Sequence, residues 1–227
     1  MSPLSSAGDA AAPEVEEAPR DEAREEMLEH LQRELGDAIV GTHLRPHDQL
    51  TVRVRNDAWV AAGELARDHL GCHFFDFLSA IDWKPSPWGR GEDDPTEPPP
   101  ERPTEIVQGY AGGETRFQVF ARVLNTRTNL GLVLKADVPD DRLEIASWVP
   151  VYAGADWHER ETWEMYGITF VGHPNLVHIY LPGDFEGHPL RKDFPLLARM
   201  VKPWPGIADV EPMPGSDAGS DDGETAS

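Results

Sequence analysis

Four histidines fall within one short stretch, His158, His173, His178 and His188, and three glutamates, Glu159, Glu161 and Glu164, cluster at its start. These are the residue types of a metal centre or of paired acid–base carboxylates. Their spacing argues for neither. The histidines are separated by 15, 5 and 10 positions, which gives no i, i+4 helical pair and no finger pattern. Two of them stand in a repeated triplet, Gly172-His173-Pro174 and Gly187-His188-Pro189. Such a triplet suits a tight turn: glycine takes unusual dihedrals, histidine caps backbone through its ring nitrogens, and proline fixes the exit. A nucleophile motif, a phosphate-cradling glycine loop and a dinucleotide fingerprint are all missing. Cys72 is the one cysteine, too few for a thiolate-held cluster or structural zinc, and it sits in the apolar run "GCHFFDFL" as a small buried hydrophobe.

The glutamates need a helix to carry them. In "GADWHERETWEMYGITF", Asp156 with Glu159 three residues later reads as a capping box, and Gly167 ends the helix. Trp163 and Tyr166 share an inward face, whereas Glu159, Arg160, Glu161 and Glu164 crowd the remainder as a solvated or partner-facing surface.

Beyond Gly167 the chain places Pro174, Pro182, Pro189, Pro195, Pro203 and Pro205 among many large apolar residues. The prolines forbid a long helix or central strand, and the apolar content is too high for a solvated tail. This segment is an extended arm that lies either on its own sheet or in a partner's groove. The partner is the preferred reading, because Arg191, Lys192 and Asp193 can set register by charge while Phe194, followed by Pro195, supplies buried area.

Residues 27–150 supply the body. Met27, Leu28, Leu31 and Leu35 repeat at helical spacing, and "QLTVRVRND" alternates as a strand. "DAWVAAGELARDHLG" returns to helical period, and "HFFDFLSAID", "TEIVQGYA", "RFQVFARVL" and "LGLVLKADV" read as further strands. The fold class is therefore α+β, a mixed or antiparallel sheet with helices packed on one face, followed by the extended proline-rich arm. The stretch at 84–104 holds seven prolines and five acids and reads as a long exposed loop.

Residues 1–26 carry eight acids against two arginines, and 207–227 carry six acids and no base, so both read as disordered acidic tails. Together they hold twelve of the net −21 charges. The acidic balance excludes nucleic acid and an anionic membrane surface as direct partners. A spanning helix needs roughly 18 consecutive apolar residues, and nothing here approaches that; a basic-then-apolar leader is also missing.

"ERETWEMYGITFVGHPNL" followed by "GDFEGHPLRKDFPL" closely resembles the signature of the C-subunit family of NADH-quinone oxidoreductase, respiratory complex I, over residues 153–197. The continuation "MVKPWPG" resembles the actinobacterial branch of that family. The chain departs from the family pattern at His158, Glu164 and the Val177-His178 pair, where tyrosine, aspartate and an Arg-Arg pair are frequent. The resemblance implies a non-catalytic scaffold of the peripheral arm of a proton-translocating enzyme. On it, this chain holds no cofactor or metal, while the complex uses FMN, iron–sulfur clusters and quinone. Its arm at 151–206 would wrap the large quinone-site subunit, next to the iron–sulfur subunits, on the cytoplasmic side of the cell membrane. The implied interface is Glu159, Arg160, Glu161, both Gly-His-Pro turns, and Arg191 to Pro195. The alternatives are the equivalent subunit of a membrane-bound hydrogenase or deazaflavin-dependent dehydrogenase, or a stand-alone metal-dependent enzyme.

Overall fold

The computed structural model describes residues 21–45, 48–87 and 103–195. Most of the expected tails, most of the proline-rich loop and the arm beyond 195 lie outside them. The first helix, α1 (Glu22–Leu35), begins before Met27, because the Asp21 side chain accepts from the Arg24 amide and Glu22 and Glu25 suit the positive helix start. The boundary of the acidic tail expected at 26 therefore moves back. Met27 and Leu31 are buried, as their spacing requires.

The sheet contains β1 (Ile39–His43), β2 (Leu50–Val54), β3 (Phe74–Asp82), β4 (Phe117–Asn125) and β5 (Leu130–Val138), in the spatial order β1-β2-β5-β4-β3. β2 and β5 pair in parallel, and the other neighbours are antiparallel. Register aligns Val52 with Leu134 and Ala121 with Leu134, so alternate residues of three strands form one apolar face. That face joins α1 and α2 (Trp59–Asp68) in a single buried cluster.

The opposite face carries Arg53, Lys135, Asp137 and Gln118 at matched register. "TEIVQGYA", expected to be a strand, lies across this face as a loop instead. Its last carbonyls, and that of the following Gly112, are taken by side chains and not by a strand ladder: Arg53 Nε donates to Ala111 O at 3.0 Å, Lys135 Nζ to Tyr110 O at 2.7 Å and Gln118 Nε2 to Gly112 O at 3.0 Å. Burial there pulls the Lys135 ammonium down to about 8.

The chain then forms β6 (Glu144–Ala146), α3 (Ala155–Tyr166) and β7 (Thr169–Val171), with β6 and β7 paired in parallel through Ile145 and Phe170. Between them, Trp148 stacks on Trp59 with ring centroids 4.3 Å apart and donates through Nε1 to Trp59 O at 3.0 Å. This indole pair fastens the second unit to α2.

A Cβ at Gly63 would lie 2.8 Å from the Trp148 indole. Gly63→Ala gains about 1 kcal/mol of helix propensity, but overpacking a rigid, fully buried ring costs about 1–3 kcal/mol. Chemical denaturation should show a net loss of stability. A variant more stable than the parent contradicts this packing.

Candidate partner interface

Helix α3 lies beside the edge strand β3, where His158 Nδ1 sits 3.2 Å from Leu78 O and 3.4 Å from the Leu78 amide nitrogen and so covers part of an open edge. The helix starts from Gly154 with no side-chain cap, so Asp156 and Glu159 form no capping box. Glu159 points inward and has no surface to offer a partner, being 0% exposed. Its carboxylate accepts from Ser147 Oγ at 2.6 Å and from the Trp148 amide at 2.5 Å. Burial nonetheless pushes it up to about 7. Arg160 and Glu161 stay part-exposed, and Trp163 and Tyr166 pack against the core as their spacing predicts.

Arg160 and Glu164 stand one helical turn apart and grip the arm by its backbone. Arg160 donates to Val177 O and His178 O, both at 3.0 Å. Glu164 accepts from the amides of Ile179, Tyr180 and Leu181 at 2.7, 2.9 and 3.1 Å, and from His178 Nδ1 at 3.2 Å. Burial raises the Glu164 pKa, but these donors outweigh it and hold the carboxyl below its usual range. Two of the positions that depart from the family pattern, Glu164 and His178, are thus in mutual contact.

The Gly-His-Pro turns fasten the arm at either end of α3. Gly172 and Gly187 take positive φ, 88° and 94°. His173 Nε2 donates to Asp156 O at 3.1 Å, and its Nδ1 accepts from the Asn175 amide at 3.0 Å. At the other end, helix geometry leaves four carbonyls without intrahelical donors. Trp163 O receives the Gly167 amide at 2.8 Å, Glu164 O receives His188 Nδ1 at 2.8 Å, Met165 O the Leu190 amide at 3.2 Å, and Tyr166 O the Arg191 Nε at 2.6 Å. Gly167 has φ 74° and lies so close to Arg191 and His188 that a Cβ would collide with both. The Arg191 cation also complements the negative helix end.

Past the helix, the arm bolts to the sheet. Asp82 is almost fully buried, pairs with Arg116 at 2.6 Å and accepts the Lys192 amide at 2.8 Å, while Asp193 meets Arg116 at 3.0 Å. Phe194 packs against Phe185 and Gly187. Arg191, Asp193 and Phe194 therefore hold the chain to itself. The described part of the arm, through Pro195, wraps its own helix and sheet, where a partner's groove had been expected. Asp82 and Arg116 escaped the sequence reading because one closes an apolar run and the other opens one, with no motif around either. The i, i+4 opposite charges of Arg160 and Glu164 were the available signal for the clamp. Among the described residues no three His, Cys, Asp or Glu side chains gather as a metal site would require.

This arrangement defines an α+β domain whose arm, fixed inward by polar bonds, leaves apolar side chains facing out, the form of a piece of a larger assembly. The sequence profile described as "Respiratory-chain NADH dehydrogenase, 30 Kd subunit" matches residues 52–200. The NADH-quinone oxidoreductase C-subunit of Rhizobium johnstonii is 34% identical over 176 residues, covering 77% of this chain and 74% of that one. Its counterpart from Brucella abortus is 35% identical over 178 residues, covering 78% and 74%. The chain belongs to this family of respiratory-chain NADH dehydrogenase subunits. Its fold also matches a chain of an archaeal respiratory membrane complex, the membrane-bound sulfane sulfur reductase, with TM-score 0.53 and 19% identity over 77% of this chain and 87% of that one.

Two outcomes test the geometry. Glu164→Ala removes the acceptor for three arm amides, so chymotrypsin should cut at Tyr180 or Phe185 at least about tenfold faster with the circular dichroism of the domain unchanged; an unaltered cutting rate contradicts the clamp. Glu159 holds an extra proton in the folded state between its ordinary value, 4.5, and about 7. Its contribution to stability therefore weakens as pH rises through that window, by about 3 kcal/mol. Glu159→Gln should flatten the stability–pH curve there, and a curve parallel to the parent's contradicts this account.

Proposed function

We propose that the chain is a non-catalytic scaffold subunit in the peripheral arm of a proton-translocating NADH-quinone oxidoreductase. It supports the quinone-site and iron–sulfur subunits while electrons pass from NADH through FMN and iron–sulfur clusters to quinone in neighbouring chains. The observation that carries this reading is the use made of the signature residues. His173, His188, Arg160, Glu164 and Arg191 are committed to peptide groups of the arm and of α3, so the residues that could do chemistry are spent on shape. Lys192 and Pro195 remain exposed along the arm.

Among the described residues no helix is long and apolar enough to cross a membrane. Attachment to the cell membrane, on its cytoplasmic side, is through the other subunits. A tagged chain expressed in its native cell and recovered from membranes in mild detergent should bring down flavin, iron–sulfur and quinone-site subunits with NADH-to-quinone activity. Recovery with hydrogenase subunits, or of the chain alone, contradicts the proposal.

A further inference from the structure

Buried charge is also used outside the arm, where the loop at 105–113 crosses the polar sheet face. Three strands send a side chain up to it, Arg53 from β2, Gln118 from β4 and Lys135 from β5, and all three are buried. Arg53 also donates to Val40 O at 3.2 Å, so one guanidinium joins the loop to β1. The loop fits closely against that strand: a Cβ at Gly41 would collide with the Ala111 carbonyl, and the His43 ring stacks on Tyr110 with centroids 4.1 Å apart. Ala111 itself takes φ 62°, a region that residues other than glycine rarely enter. The loop is therefore held in its shape by these bonds and not by local preference.

Lys135 is the weak member of this set. An ammonium offers three donors, and the loop meets them with one full bond, to Tyr110 O, and a longer contact of 3.5 Å to Gly112 O. The Trp83 ring centroid lies 5.4 Å away, and the indole is itself bonded to Gln118. Asp137 is a nearby carboxylate, but it is engaged by Arg53, by Gln118 Nε2 at 2.7 Å and by the Glu114 amide at 3.3 Å. Glu114 is exposed and stands 3.8 Å from Arg53, and His43, stacked on Tyr110, is 3.3 Å from Asp48. The loss of water under the loop thus outweighs what replaces it, and the Arg53 cation adds to the cost. We propose that residues 105–113 form a proton-linked strap: closing it over Lys135 sends a proton from the amine into solvent, and lifting it lets the amine take a proton back. The strap therefore closes more firmly as pH rises between about 8, to which burial pulls the amine, and the ordinary value, 10.5. Below that window the amine is charged in both positions, and pH has no further hold on the strap.

The test uses the full-length chain. Chymotrypsin reaches the peptide bond after Tyr110 when the strap lifts. That cleavage, divided by the rate on a free peptide of residues 104–115 at the same pH, should be about tenfold slower at about pH 9.5 than at about pH 7.5. Lys135→Met should make the ratio independent of pH. Carbon-13 resonances of labelled lysine should show one of the four lysines titrating at about 8, and Lys135→Met should remove that signal. Gly41→Ala, whose new methyl group pushes the strap off β1, should speed cleavage at Tyr110 and return the Lys135 midpoint toward 10.5. A pH-independent ratio in the parent chain, or a Lys135 midpoint unmoved by Gly41→Ala, overturns the proposal.

Discussion

The backbone of an extended arm has no ladder to satisfy it, and everything distinctive about this chain follows from how that need is met. Residues 177–181 cannot form helix or sheet between prolines, so their amides and carbonyls must find other partners or remain in water. Arg160 and Glu164 offer one donor fork and one acceptor pair at helical spacing, and together they take two carbonyls and three amides. Reciprocally, the arm returns donors to the last carbonyls of α3. Helix and arm each complete what the other lacks.

This reciprocity explains the doubled Gly-His-Pro. A histidine at each turn reaches one end of α3, and each glycine bends the chain in a region that other residues rarely enter. The Asp82–Arg116–Asp193 cluster then ties the arm to the same sheet on which α1 and α2 pack. The result is a domain whose arm is held at a fixed position along α3 and against the sheet.

Much of this was legible in the sequence and some of it was not, for physical reasons. α1, β2, β4 and β5 declare themselves by period, and Gly167 by its left-handed stop. β6 and β7 are three residues each, too short to show a period, and β1 begins with a bulge beside Gly41. "TEIVQGYA" has strand composition, yet Arg53 and Lys135, distant in sequence, claim its last two carbonyls. Glu159 looked like one more surface acid among several; only the fold brings Ser147 and the Trp148 amide to it. The family signature was readable because it consists of unusual residues in a fixed order, whereas the direction each one faces depends on the arm's path along α3.

The central claim is that the arm is built onto its own helix before any partner is met. Amide hydrogen exchange on the isolated full-length chain tests it most directly. The amides of Ile179, Tyr180, Leu181 and Leu190 should exchange nearly as slowly as those in the last turn of α3. Exchange at the rate of an unstructured peptide across 177–191, with α3 itself still protected, would contradict the account.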